Sequence, residues 1–190
     1  MAHTTREQHT RMLCTAGLMA ALACVSNFIS IATPASRIHI GNAFCVLCGL
    51  ILGPAYGFFA AGGGNAIFDI IGGYGMEFII TFINKGAIAL VTGLIAYKAA
   101  SKETLEKKDH ARIIVGSVLG ALTYTALYLL KSYIKLRFTT ADVDPAAIQV
   151  TMLSKATSSL FNAAFAFIVA PIFFNVLRKP LRRLGLYSKD

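Results

Sequence analysis

The chain has 190 residues, of which 56% are hydrophobic and 14% charged, with a formal net charge of +9. A water-soluble domain of this size carries about 25% charged residues, so the composition argues against an ordinary soluble enzyme and for one integral membrane domain spanning 1–190.

The first apolar run covers about Thr10 to Ile31. It contains Asn27 and lacks a small-residue cleavage pattern, so it reads as a retained span and not a cleavable leader. Ala16, Ala20 and Cys24 recur on one helical face, with Gly17 and Ala21 beside them. Small residues at that spacing let helix backbones approach closely, either inside this chain or against another membrane subunit. The stretch Arg37-Ile38-His39-Ile40-Gly41-Asn42-Ala43 follows, with a cation, an imidazole and a carboxamide amid hydrocarbon. The second run covers about Ile38 to Leu52. Gly53-Pro54 breaks it, and the third runs from about Tyr56 to Ile71. After the Gly72-Gly73-Tyr74-Gly75 turn, the fourth covers about Glu77 to Tyr97. A charged loop, Lys98 to Arg112, leads to the fifth, about Ile113 to Phe138. The polar segment Thr139 to Pro145 leads to the sixth, about Ala146 to Leu177. In lipid each run must be a helix, because every backbone amide must be satisfied within the segment. The predicted fold class is therefore an all-α integral membrane protein with six transmembrane helices. The second and third runs are shorter than the usual ~20 residues, which predicts tilt or a tight hairpin.

Basic residues set the orientation. Arg6, Arg11, Lys98, Lys102, Lys107, Lys108, Arg112, Arg178, Lys179, Arg182, Arg183 and Lys189 all fall on one side of six spans, which predicts cytoplasmic N- and C-termini. The C-terminal cluster is expected to anchor the last helix at an anionic leaflet, and no nucleic-acid partner is expected. Six further cations, Arg37, Lys85, Lys131, Lys135, Arg137 and Lys155, lie in the membrane or beyond it, against the acids Asp69, Glu77, Asp142 and Asp144.

Polar residues inside spans are costly and usually face the bundle interior. Gly57, Ala61, Asn65 and Asp69 form one four-residue row; Glu77, Thr81, Lys85 and Ala89 form another. The fifth span carries Ser117, Ala121, Tyr124, Tyr128, Lys131 and Lys135. The sixth carries Thr151, Lys155, Ser158, Asn162 and Ala166. Four such rows meeting in a bundle would enclose a polar pocket open at one end. The competing reading is mutual neutralisation among Asp69, Glu77, Lys85 and Lys155, with Lys131, Lys135 and Arg137 snorkelling to the interface and Tyr128 an interface aromatic. Cys14, Cys24, Cys45 and Cys48 sit in apolar runs and read as packed thiols, Cys45-x-x-Cys48 included. No metal site, phosphate loop or catalytic motif is expected.

The order "LCTAGLMAALACV", "TPASRIHIGNAFCVLCGLILGPAYGFFAAGGGNAIFDIIGGYG" and "FINKGAIALVTGLIAY" resembles the substrate-binding S components of energy-coupling factor (ECF) vitamin transporters, in particular the riboflavin/hydroxymethylpyrimidine-type group. The resemblance covers about residues 12 to 97; the last two spans match in layout. It implies capture of a vitamin-like ligand outside the cell. It also implies partnership with a transmembrane coupling subunit and two cytoplasmic ATPases that use the ATP, and residence in a bacterial cytoplasmic membrane. Toppling of the S component in the membrane would carry the ligand inward. The resemblance places Arg37, His39, Asn42, Lys85, Tyr128, Lys131, Lys155 and Asn162 in the pocket, beside the row residues Asn65 and Asp69, and implies a coupling contact at Ala16 and Ala20, to which the small face adds Cys24. Two departures stand out: the chain has no Trp, and Asn42 stands where relatives carry Asp.

The expected function is thus a substrate-binding S component for a small water-soluble vitamin, cofactor precursor or nucleobase-like compound, with no cofactor of its own. A stand-alone secondary transporter or channel is the alternative, though no internal repeat relates 1–95 to 96–190. A membrane enzyme using His39 as acid or base is the least favoured, because no partner carboxylate stands at motif spacing.

Overall fold

The computed structural model describes residues 2–33, 36–138 and 144–187. Most of the Thr139 to Pro145 segment, with Asp142, and Lys189 lie outside the described residues. Five helices and one short hairpin make up the rest: α1 (Ala2–Ser26), β1 (Ser30–Ala32), β2 (Arg37–His39), α2 (Gly41–Ile71), α3 (Glu77–Ala100), α4 (Lys107–Phe138) and α5 (Pro145–Arg183). Four of them, α2 to α5, are long and apolar enough to cross a membrane. The charges Arg6, Glu7 and Arg11 in the first half of α1 dilute its hydrocarbon.

α2 is one helix by its residue range but two by its path. Gly53 adopts φ 76°, a left-handed conformation that breaks the helix, and Pro54 supplies no N–H to continue it. The two arms then run back along each other. Asn65 Nδ2 donates to Cys45 Sγ at 3.3 Å across twenty positions of sequence, whereas in a straight helix these residues would lie about 30 Å apart. Of the two geometries predicted for the short second and third runs, the tight hairpin is the observed one. The arms pack against α3 and bury Cys45, Val46, Leu50 and Ile51 with Ile88 and Ala89.

The small face of α1 is used here too. A side chain at Gly64 would run into the Ala20 carbonyl, so the α1 and α2 backbones touch at that point. Ala16 and Ala20 are half-buried against the core and Cys24 is buried. Ala20 therefore serves close packing inside the chain, with Ala16 and Cys24 on the same face. The small positions that α1 leaves open are Gly17 and Ala21, on its exposed side.

Three other boundaries differ from the sequence reading. The first run ends as helix at Ser26, and its tail, with Ile38 and His39, forms the antiparallel β1–β2 ladder with Ile31 opposite Ile38. The β-branched and polar composition of 30–39 has a strand to pair with, so extended backbone is satisfied without a helix. α4 begins at Lys107, inside the Lys98 to Arg112 segment assigned to a loop, and α5 continues through Pro171 and Pro180 to Arg183.

One end of the bundle collects the basic segments. Arg11 Nη1 donates to Leu184 O at 2.9 Å, Arg182 Nη1 to Ser101 O at 2.6 Å, and Arg178 to the carbonyls of Lys102 and Glu103. Lys102 pairs with the fully buried Asp109 at 2.8 Å. The arginines of α5 thus bind the carbonyls of the loop that follows α3, at Ser101, Lys102 and Glu103. A polar cavity lies at the opposite end, about 30 Å away along α3, from Lys98 back to Glu77.

Candidate functional site

The polar rows converge. A cavity of about 590 Å³ is walled by Asn65 and Asp69 of α2, Glu77, Thr81 and Lys85 of α3, Tyr124, Tyr128, Lys131 and Lys135 of α4, Lys155 of α5, and Arg37 and His39 of the hairpin. Each helical residue arrives by the same logic: a four-residue repeat keeps one side of each helix polar, and only the interior of the bundle relieves the cost of placing it in lipid.

Lys85 is buried, 5% exposed. Its Nζ donates to Asn42 Oδ1 at 2.6 Å, lies 3.4 Å from His39 Nε2, and stands 4.4 Å from the centroid of the Tyr124 ring. An ammonium only donates, so the amide oxygen of Asn42 must face it. Asn42 Nδ2 is left buried with no partner. Both residues were placed in the second apolar run, but His39 belongs to β2, Asn42 to the first turn of α2, and Lys85 joins them. Gly41 N–H donates to His39 Nδ1 at 3.1 Å. That nitrogen must carry a lone pair, which puts the imidazole proton on Nε2.

The mutual neutralisation considered from sequence is not what forms. Glu77 pairs with Lys131 and with Lys135, the latter at 2.8 Å. These two lysines therefore hold a carboxylate at the cavity mouth, where snorkelling was the simpler expectation. Lys155 Nζ sits 5.2 Å from the Tyr128 centroid and donates to its hydroxyl at 3.4 Å. Arg37 lies over Tyr74, 4.8 Å from the centroid, and donates to its hydroxyl. Cations over aromatic faces are stabilised without losing their charge. Tyr128 also meets Ser36 Oγ at 3.0 Å and stacks on Tyr124, centroids 5.6 Å apart. It faces the cavity and not the interface.

Asn42 and Asn162 stand behind the wall. Asn162 Oδ1 accepts from His39 N and its Nδ2 donates to Arg37 O, both at 2.9 Å. This one amide pairs β2 as a neighbouring strand would. Replacing it with leucine leaves two backbone groups unpaired, at about 1–3 kcal/mol each. The expected result of Asn162→Leu is at least tenfold faster amide exchange at His39, with the amides of α3 unchanged; equal protection at His39 would refute the clasp.

Tyr74, Ser36, Asn27, Asn84 and Ser132 also line the cavity. Sequence reasoning passed over them because they sit in turns or off the four-residue rows. Asn84 next to Lys85 was the available signal. Asn27, already conspicuous as a polar residue in the first run, donates to Asn65 Oδ1 at 2.9 Å.

The family model for ECF-type riboflavin transporter S components matches residues 7–179. The chain belongs to that family. A protein of Pyrococcus woesei described as "Uncharacterized protein in gap 3'region" is 29% identical over 116 residues, 60% of this chain and 72% of that protein. The S component is a transport subunit, not an enzyme, and with its apolar helices it is a multi-pass membrane protein that binds a vitamin. The match extends over α4 and most of α5, beyond the segment that carried the sequence resemblance.

Proposed function

We propose that this S component captures riboflavin or a related water-soluble vitamin in the cavity between the hairpin and helices α2 to α5. The observation that carries the reading is the cavity itself. Its volume of about 590 Å³ lies within the roughly 300–1,000 Å³ of small-molecule sites. Its wall combines two stacked tyrosines with convergent polar groups.

The six helical arms, counting α2 as two, cross the membrane with both termini in the cytoplasm. The basic end of the bundle supports this orientation through the positive-inside rule, and the cavity then opens outward. The Arg178 and Arg182 bonds to the α3–α4 loop keep that basic end together. Delivery inward uses a transmembrane coupling subunit and two ATPases, as the family implies. The exposed Gly17 and Ala21 side of α1, next to the half-exposed Ala16 and Ala20, is the face we assign to the coupling subunit. The membrane is the cytoplasmic membrane of a prokaryote.

Titration of the purified protein with riboflavin and a vitamin panel tests the reading. Saturable binding of one ligand per chain is expected; a protein that binds none of them would contradict it.

A further inference from the structure

We propose that the ligand of this cavity is an anion, its charged oxygens held against Lys85 and His39. The inference rests on the vitamin-binding reading of the same cavity and names the chemistry that cavity selects.

The first support is the charge balance of the wall. Arg37, Lys85, Lys131, Lys135 and Lys155 face Asp69 and Glu77 only, an excess of three positive charges. Glu77 is engaged by Lys131 and Lys135. Among the described residues no ion pair joins Lys85, Lys155 or Arg37 to a carboxylate. Their hydrogen-bond and ring partners are an amide, an imidazole, hydroxyls and aromatic rings, none of them anionic; Asp69 is near enough to act on Lys85 electrostatically but forms no ion pair with it.

The second support is the direction of the donors. With its proton on Nε2, His39 offers an N–H beside the Lys85 ammonium, and the two nitrogens are 3.4 Å apart. Two donors cannot satisfy each other. Both residues line the cavity, so an acceptor lying in it can serve both. Carboxylate and phosphate oxygens suit such a place, because charge-assisted bonds are roughly twice as strong as neutral ones. Asp69 opposes a negative group nearby, so the same ligand is expected to bring N–H or O–H donors to that residue. The Tyr124–Tyr128 stack offers a face for a planar ring.

Matched pairs of neutral and anionic compounds give the test: riboflavin and riboflavin 5′-phosphate, pyridoxine and pyridoxine 5′-phosphate, nicotinamide and nicotinate. They are titrated against the full-length protein in detergent. The anionic member of the binding pair is expected to bind at least tenfold tighter, and the identity of that pair separates phosphate from carboxylate. Asn42→Asp changes the partner of Lys85 from an amide to a carboxylate of nearly the same shape. It is expected to weaken the anion at least tenfold and the neutral member less than threefold. Lys155→Gln, at the mouth, is expected to weaken the anion about threefold and to reduce its salt dependence; it decides the matter should Asn42→Asp fail to fold. A neutral member that binds as tightly as its anion overturns the inference and leaves the vitamin-binding reading standing, as does an anion unaffected by the variants. Binding of no compound at all overturns both.

Discussion

Lys85→Met is expected to lower affinity for the tightest-binding vitamin of the panel at least a hundredfold while leaving the melting temperature within a few degrees of the parent. The two halves of that expectation come from different physics. A hydrogen bond from a charged group is worth about 1.5–3 kcal/mol, and the cation adds electrostatic attraction in a site partly screened from water. Losing both exceeds about 2.7 kcal/mol, which is a hundredfold. For folding the sign is mixed. A buried ammonium without a carboxylate partner is itself a cost, since removing a charge from water exacts several kcal/mol. Methionine has nearly the same length and fills the same space with no charge. Against that gain, Asn42 Oδ1 loses its donor at 2.6 Å, and an unsatisfied buried amide costs about 1–3 kcal/mol. The terms oppose each other and leave little net change. A residue kept for structure alone would behave the other way: the midpoint would fall by ten degrees or more and the remaining folded protein would bind normally. Titration and thermal melting of the same preparation distinguish the two.

Gly64→Val is expected to have the largest effect on stability. The Cβ of any residue at Gly64 meets the Ala20 carbonyl, carbon and Cα. These are backbone atoms, so no rotamer change relieves the collision, and α1 must move away from α2. Overpacking a well-filled contact costs about 1–3 kcal/mol and sometimes more; a backbone-to-backbone contact belongs at the upper end, near 3 kcal/mol. For a chain of this size that is a fall in melting temperature of about 6–12 °C. Gly63→Val serves as the comparison, because Gly63 has open space beside it; it is expected to shift the midpoint by no more than the propensity difference, a degree or two. Equal effects at the two positions would mean that α1 does not rest on α2 in the way described.

The helices were legible because lipid leaves the chain few options. An apolar run with its amides unsatisfied cannot exist in hydrocarbon, so α3, α4 and α5 follow from hydropathy alone. The rows on these helices were equally readable, and the cavity gathers Asp69, Lys85, Tyr128 and Lys155 from four different segments. Two things were not legible. Periodicity places a residue on a face but not against a particular neighbour, so the partner of Glu77 turned out to be Lys131 and Lys135 and not Lys85. The β1–β2 ladder was hidden because Ile31 and Ile38 read as the ends of the apolar runs on either side of it. Asn162, more than a hundred residues away, supplies an edge that extends the ladder. The small face of α1 was recognised but had two uses open, and the contact of Ala20 with Gly64 accounts for the use inside the chain.

One vitamin-sized molecule is expected to sit in the cavity beside Lys85. Native mass spectrometry of the purified protein, mixed with the vitamin panel and released from detergent, measures this directly. A single adduct of one vitamin per chain, absent from Lys85→Met, is the expected result. A parent protein with no adduct, or an adduct retained in full by Lys85→Met, would contradict it.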